Sequence, residues 1–408
     1  MSASPALRRA LLALGAAALA AAWVLAATQL WHTSVPDDLT LPNLDPHRFF
    51  SDSLLSRSAS YERFLRIDAL LAALAQIAAL VLFAVRGPGF MRESAAGRIG
   101  TGMLLGMLGL AFVWLAQFPF GVAALWWERR HGISSQGYFD WIVQDFLSAG
   151  GQFLFISLGL LIVMALAGLW RRWWWLAAAP ALLAVTFLFA LVQPYLIPSL
   201  HSLRDPALAS DARAIAAQEG VNDVPVKVQD THNLGGAPNA EATGIGPSRR
   251  IIVWDTLLKR FRPTEIRVVL AHEFAHLAHD HILKQLAWLA LLAVPIALVV
   301  TLATRSRGGL YEPAAVPLAL LVVVALLLIA TPLQQAFSRR LEAEADWSAL
   351  QTTRDPQAMR ALFARFTRVA LIEPTSPGWA HLLFDTHPDP MQRIEMAAAW
   401  RGLHPQPR

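Results

Sequence analysis

Residues 263–304 read PTEIRVVLAHEFAHLAHDHILKQLAWLALLAVPIALVVTLAT, and this stretch decides the architecture. Thr264 and Glu265 after Pro263 form a helix start, with Thr264 as the cap and Glu265 near the positive end of the helix dipole. No glycine or proline then interrupts the chain before Pro295, which predicts one continuous helix over 265–303. At 1.5 Å per residue such a rod spans roughly 58 Å, about twice a bilayer core, so its first half must project beyond the lipid or line a cavity. In that half lies His272-Glu273-Phe274-Ala275-His276. A separation of four places both imidazoles on one helix face, one turn apart, the spacing that one tetrahedral Zn²⁺ requires. Glu273 falls beside the metal without joining its ligands.

Two imidazoles leave a zinc site short of a third ligand. The next apolar run, Ala314–Phe337, follows after a short loop around Arg305–Tyr311 and continues as a helix past Pro332 to about Leu350. The two runs therefore form an antiparallel hairpin whose extended ends emerge on one side. Glu342 lies about five residues beyond the second run and His276 about ten before the first, so they share a depth. Glu342 is the candidate third ligand, and Asp346, one turn on, the candidate acceptor that orients a ligating imidazole. Glu344 faces away from Glu342, and His279 and His281 read as solvated bystanders.

Outward from this hairpin the chain is that of a membrane protein: 408 residues, 55% hydrophobic and 15% charged. Further apolar runs near Leu11–Leu30, Ile67–Val85, Leu104–Trp127, Phe153–Leu169 and Trp175–Ile197 bring the expected spans to seven. The first, behind Arg8 and Arg9, has signal-peptide features but is long for a signal core and reads as retained. Trp126–Trp127 and Trp173–Trp175 suit the headgroup level. Cysteine is absent, which excludes disulfides and thiolate ligands, so a metal here must be held by His and carboxylate. The net charge of +5 is almost wholly arginine without a basic run interleaved with aromatics, so nucleic acid is not an expected partner. Residues 1–199 read as a five-span membrane domain. Residues 200–408 read as a metallopeptidase domain, with a turn-rich α+β insertion before span six and a soluble, helical end after about Arg354.

The His272–His276 and Ser338–Asp346 motifs, Asn239–Gly244 leading to Arg250–Leu257, the late His387-Pro388 with Arg393, and Trp127–Gly132 together resemble the integral-membrane zinc metalloproteases of the CAAX prenyl protease 1 type. Five spans ahead of the zinc motif fit that branch better than the shorter heat-shock branch. The resemblance implies a mainly α, multi-pass fold of about seven transmembrane helices around a water-filled intramembrane chamber. It further implies one Zn²⁺ per chain on His272, His276 and Glu342, Glu273 as base, His387 steadying the oxyanion, Arg393 buttressing the site, and Asn239 and Ala240 holding the substrate backbone. Where the family often carries aromatics after Asn-Ala, this chain has Glu241 and Ala242, which bears on pocket preference.

The expected activity is hydrolysis of a peptide or protein substrate by zinc-activated water at a multi-pass site in a bacterial cytoplasmic membrane. The extended stretch Arg250–Trp254 is a candidate to pair with substrate as an added strand. Quality control of membrane proteins is the runner-up within proteolysis; a non-proteolytic scaffold or a transporter is the reading from other classes. Arg8, Arg9, Arg86, Arg92, Arg98, Arg171, Arg172, Arg305 and Arg307 in the short connections favour a cytoplasmic amino terminus, which with seven spans puts the zinc site outside. The resemblance implies a cytoplasmic site.

Overall fold

The computed structural model describes residues 4–90, 96–171, 173–231 and 238–405, and no side chains for 5–13 and 16. Arg92, Arg172, Gly235, Gly236 and the side chains of Arg8 and Arg9 lie outside what is described. The amino-terminal helices are α1 (Pro5–Trp31), α2 (Asp52–Arg86), α3 (Gly97–Arg130), α4 (Tyr138–Leu169) and α5 (Trp174–Leu196). Ser51 caps α2 by accepting from the Leu54 N–H, a helix start built from a short side chain. Between α5 and the next span come β1 (Leu200–Ser202), α6 (Pro206–Gln218), β2 (Val226–Gln229), β3 (Ala240–Thr243), β4 (Arg250–Trp254), α7 (Asp255–Arg260) and α8 (Pro263–Ala278). α9 (His281–Thr304) and α10 (Val316–Thr353) form the hairpin, and α11 (Pro356–Ala370), α12 (Gly378–Leu383) and α13 (Pro390–Leu403) close the chain.

Helices α2, α3, α4, α5, α9 and α10 are long and apolar enough to cross a membrane. Leu74, Val85, Leu154, Leu188 and Ile329 on them stand exposed, a band of apolar surface that only lipid can cover. The expected seventh span is weaker: in α1 the apolar part among the described residues is Ala17–Trp31. That end is nevertheless fixed, because Trp31 packs 5.9 Å from the Trp288 ring and 6.2 Å from Phe337. The tryptophans at the span ends divide. Trp126 and Trp173 are exposed as headgroup anchors, but Trp174 is buried and Trp127 stacks on Phe64 at 4.3 Å, so these two serve packing instead.

Inside the bundle, polar groups face one another: Gln117 donates to Gln76 at 3.4 Å, and the Trp114 indole donates to Asp145 at 2.8 Å. A cleft of about 330 Å³ is lined by Glu128, Gln136, Trp141, Gln144 and Asp145. Ionisable and amide groups on such helices are more stable facing one another or water than facing acyl chains. The short connections meet at the opposite end of the molecule from the soluble elements. Arg98 pairs with Glu312 at 2.8 Å and Arg307 donates to the Ala84 carbonyl at 2.8 Å, joining the α2–α3 and α9–α10 turns.

The sheet has the order β1-β2-β4-β3, with β2 and β4 parallel and both outer pairs antiparallel. This corrects one expectation: Arg250–Trp254 is paired on both sides and cannot accept a further strand, and the edges are β1 and β3, with β3 the edge beside it. Behind the sheet, α6, α8, α11, α13 and the end of α10 share one apolar core with Ile251, Leu270, Phe274, Leu350, Met359 and Ile394. Within α8 the residues from Val268 through Ala275 are all buried, which makes it a central helix and not an amphipathic surface one.

Helix α8 does not run into the membrane as one rod. It stops at Ala278, Asp280 takes a left-handed conformation (φ 52°), and α9 restarts at His281. Aspartate tolerates this region better than most residues, and Arg249 holds its carboxylate at 2.5 Å. Thr264 is not the cap either. The first turn opens on Pro263, and Glu265 reaches back to the Arg262 N–H at 2.8 Å, with Arg365 on the same carboxylate.

Candidate metal centre

The site forms where α8 crosses the extended end of α10. His272 Nε2 lies 3.0 Å from His276 Nε2 and 3.2 Å from Glu342 Oε2, and His276 Nε2 lies 3.6 Å from Glu342 Oε1. Four ligands at about 2.0–2.1 Å around a tetrahedral ion are separated by about 3.3 Å. These three spacings bracket that value.

Three features show that the residues suit a cation. Glu342 Oε2 is buried and no donor reaches it with hydrogen-bond geometry, although His272 Nε2 and His387 Nε2 both lie 3.2 Å away, an unmet acceptor that burial makes costly. His272 Nδ1 is 3.0 Å from the Asp346 carboxylate, which can only accept, so Nδ1 carries the proton and Nε2 presents a lone pair to the cluster. The third is electrostatic. Burial alone would lower the pKa of His272, but the Asp346 and Glu342 carboxylates beside it outweigh burial and raise it, so the pocket carries negative charge that a cation would balance. His276 faces the other balance, where burial dominates and lowers it to about 3.

Behind His272, Arg393 grips Asp346 with Nε at 2.7 Å and Nη2 at 2.5 Å while its guanidinium lies 3.9 Å over the Phe363 ring. The carboxylate that orients the imidazole is thereby itself oriented. Glu273 sits on the sheet side of α8, near the Ala242 backbone, which favours its ionised form. Burial is the largest influence on it and pushes it up to about 7 against the pull of His272. His387, in the loop between α12 and α13, places Nε2 3.2 Å from Glu342 Oε2 with its side chain 54% exposed. Arg339 fastens that loop by donating to the carbonyls of His381 and Asp385, both at 2.7 Å.

Of the residues singled out by sequence, His272, His276, Glu342, Glu273, Asp346, Arg393 and His387 thus converge. Ala240 opens β3, next to α8, and Asn239 immediately precedes the strand. Its register puts Asn239 opposite Trp254, whose N–H donates to the Asn239 carbonyl at 3.0 Å, so the alternate residues Ala240 and Ala242 turn their backbone groups outward to the open edge.

Three residues dismissed or unused by the sequence reading also belong here. His281 is 1% exposed and its Nδ1 is 2.7 Å from His276 Nδ1. Glu344 does turn away from Glu342, as two residues along a helix require, but that side meets α9: its Oε2 is 2.9 Å from both His281 Nε2 and Lys284 Nζ. His279 approaches the same carboxylate at 3.6 Å and is only partly buried. The acid between Glu342 and Asp346 was a visible signal, as was a second imidazole five residues past His276. What hid them was the assumption of an unbroken helix, in which residues five apart point about 140° away from each other.

A multi-pass membrane protein with a buried HExxH helix crossed by an acidic helix is the class that this fold and site define. Residues 202–401 match the model of Peptidase family M48. YhfN of Bacillus subtilis, described as an uncharacterized metalloprotease, is 27% identical over 281 residues, covering 65% of this chain and 66% of its own. A protease HtpX homolog of Methylibium petroleiphilum is 31% identical over 179 residues, 39% of this chain and 63% of its own. The chain thus spans slightly under two thirds of the length of these relatives. The crystal structure of S. mikatae Ste24p superposes with a TM-score of 0.72 at 17% identity, covering 92% of this chain and 96% of that one. Residues 202–401 are thus similar to peptidase family M48, and the chain as a whole shares the fold of Ste24p.

Proposed function

We propose that the protein is a membrane-embedded zinc endopeptidase that binds one Zn²⁺ per chain through His272, His276 and Glu342. The observation that carries this reading is the set of three donor atoms at tetrahedral-edge spacing, among them the lone pair that Asp346 leaves on His272 Nε2 and a buried Glu342 oxygen that no donor reaches with hydrogen-bond geometry. When bound, zinc supplies electrophilic activation of water and of the scissile carbonyl.

The chain's own residues do the rest. A peptide pairs with the outer edge of β3 through the Ala240 and Ala242 backbone, which gives affinity with little sequence selectivity. Glu273, beside that edge, accepts the proton of the attacking water and later returns it to the leaving amine. His387 donates to the developing oxyanion from the open side of the cluster. Asp346 and Arg393 hold His272. The substrate is a peptide or protein segment that reaches the wet interior of the bundle, and the site belongs to an integral protein of a bacterial cytoplasmic membrane.

Purified protein should contain one zinc, and His272→Ala and Glu342→Ala should each lose it, because two ligands make a poor site. Unchanged metal content in both variants would refute the assignment, and hydrolysis of a quenched peptide that survives chelation would refute the activity.

A further inference from the structure

We infer that His281 and Glu344 are positioning residues for His276: a His276–His281–Glu344 chain fixes which nitrogen of His276 carries its proton and so keeps Nε2 available to the metal. The inference rests on the metal-site reading above.

Glu344 has a side chain only 3% exposed, yet it is anchored by the Ser34 N–H at 2.6 Å, Lys284 Nζ at 2.9 Å and His281 Nε2 at 2.9 Å. A carboxylate can only accept, so His281 Nε2 is the protonated nitrogen. Lys284 supplies the positive charge that Glu344 needs, and His281 can stay neutral. Neutral His281 then has a lone pair on Nδ1, and the 2.7 Å separation from His276 Nδ1 requires that His276 be the donor. Its remaining nitrogen, Nε2, is left with a lone pair, directed at His272 Nε2 and Glu342.

The arrangement is built by the backbone. The left-handed Asp280 breaks the helix between His276 and His281, and only that break brings the two rings together, at 4.8 Å between centroids. His272 obtains the same service from Asp346 directly. His276 Nδ1 instead meets a second imidazole, which links it to a carboxylate. Because the Ser34 N–H belongs to the α1–α2 connection, the chain also ties that connection to the metal site.

The test uses the full chain purified in detergent, with zinc affinity measured by chelator competition and the electronic spectrum of the Co²⁺-substituted protein as a second readout. His281→Phe removes the acceptor and should weaken zinc by about 10–100-fold and displace the cobalt bands. His281→Asn places Oδ1 near the position of Nδ1, still accepts from His276, and should stay within about threefold of the parent with parent-like bands. The proposal is overturned if the Phe variant binds within about threefold of the parent, or if the Asn variant falls as far as the Phe variant. Should the Phe variant fail to fold, Glu344→Ala is read in its place: a loss of about tenfold supports the chain, and parent affinity overturns it. A parent that binds no zinc refutes the metal site itself, a result distinct from a zinc-loaded parent whose variants are unchanged.

Discussion

Glu273→Gln isolates the base from the ligands. The amide is nearly isosteric with a carboxylate that is 7% exposed, so no cavity opens. Burial and the nearby Glu342 and Glu241 charges all disfavour the ionised form of Glu273, so removal of its charge does not destabilise the chain. The melting temperature should match or slightly exceed the parent's. The amide cannot take a proton from water, however, and a general base contributes about 10²–10⁴ in rate, or about 2.7–5.4 kcal/mol at 1.36 kcal/mol per decade. Zinc content and peptide hydrolysis are measured on one preparation. The expected result is parent-like zinc, hydrolysis lower by at least about a hundredfold, and substrate that co-purifies uncleaved. Zinc lost together with activity would make Glu273 a ligand. Zinc and activity both retained would remove the motif from the catalytic centre.

His387→Ala should keep zinc and fold while turnover falls by about 10²–10³, the cost of losing one oxyanion donor; equal turnover would take His387 out of the reaction. Gly244, at φ 87° in the turn from β3 to β4, has no room for a side chain: a Cβ would lie 2.3 Å from the Ser248 carbonyl oxygen. Gly244→Ala should therefore cost about 1–3 kcal/mol or more in a detergent melt and misalign the open edge, raising KM more than it lowers metal content. An unchanged melting point would show that the turn relaxes freely.

Much of the site was legible because it depends on local periodicity. The four-residue spacing of His272 and His276, the chain depth of Glu342 and the one-turn step to Asp346 are all properties of a single helix or of a simple hairpin, and the structure brings these residues to one point. The spans were legible for a similar reason: a run of about twenty apolar residues has one stable environment. The resemblance supplied His387 and Arg393, which no periodicity links to α8 because they arrive from a loop and a helix more than a hundred residues away.

Four matters were decided only by the tertiary structure. A strand's sequence does not say whether it is central or at an edge, since Arg250–Trp254 and Ala240–Thr243 differ in partners and not in pattern. Packing, not hydrophobicity, sends Trp174 inward and leaves Trp173 outside. The hairpin was continuous by every local criterion until Arg249, from another element, stabilised a left-handed Asp280. That break in turn decided the fourth. Sequence spacing determines which side chains share a helix face, but once a backbone leaves the helix a single residue redirects everything after it, and so His281 came to lie against His276 with Glu344 behind it.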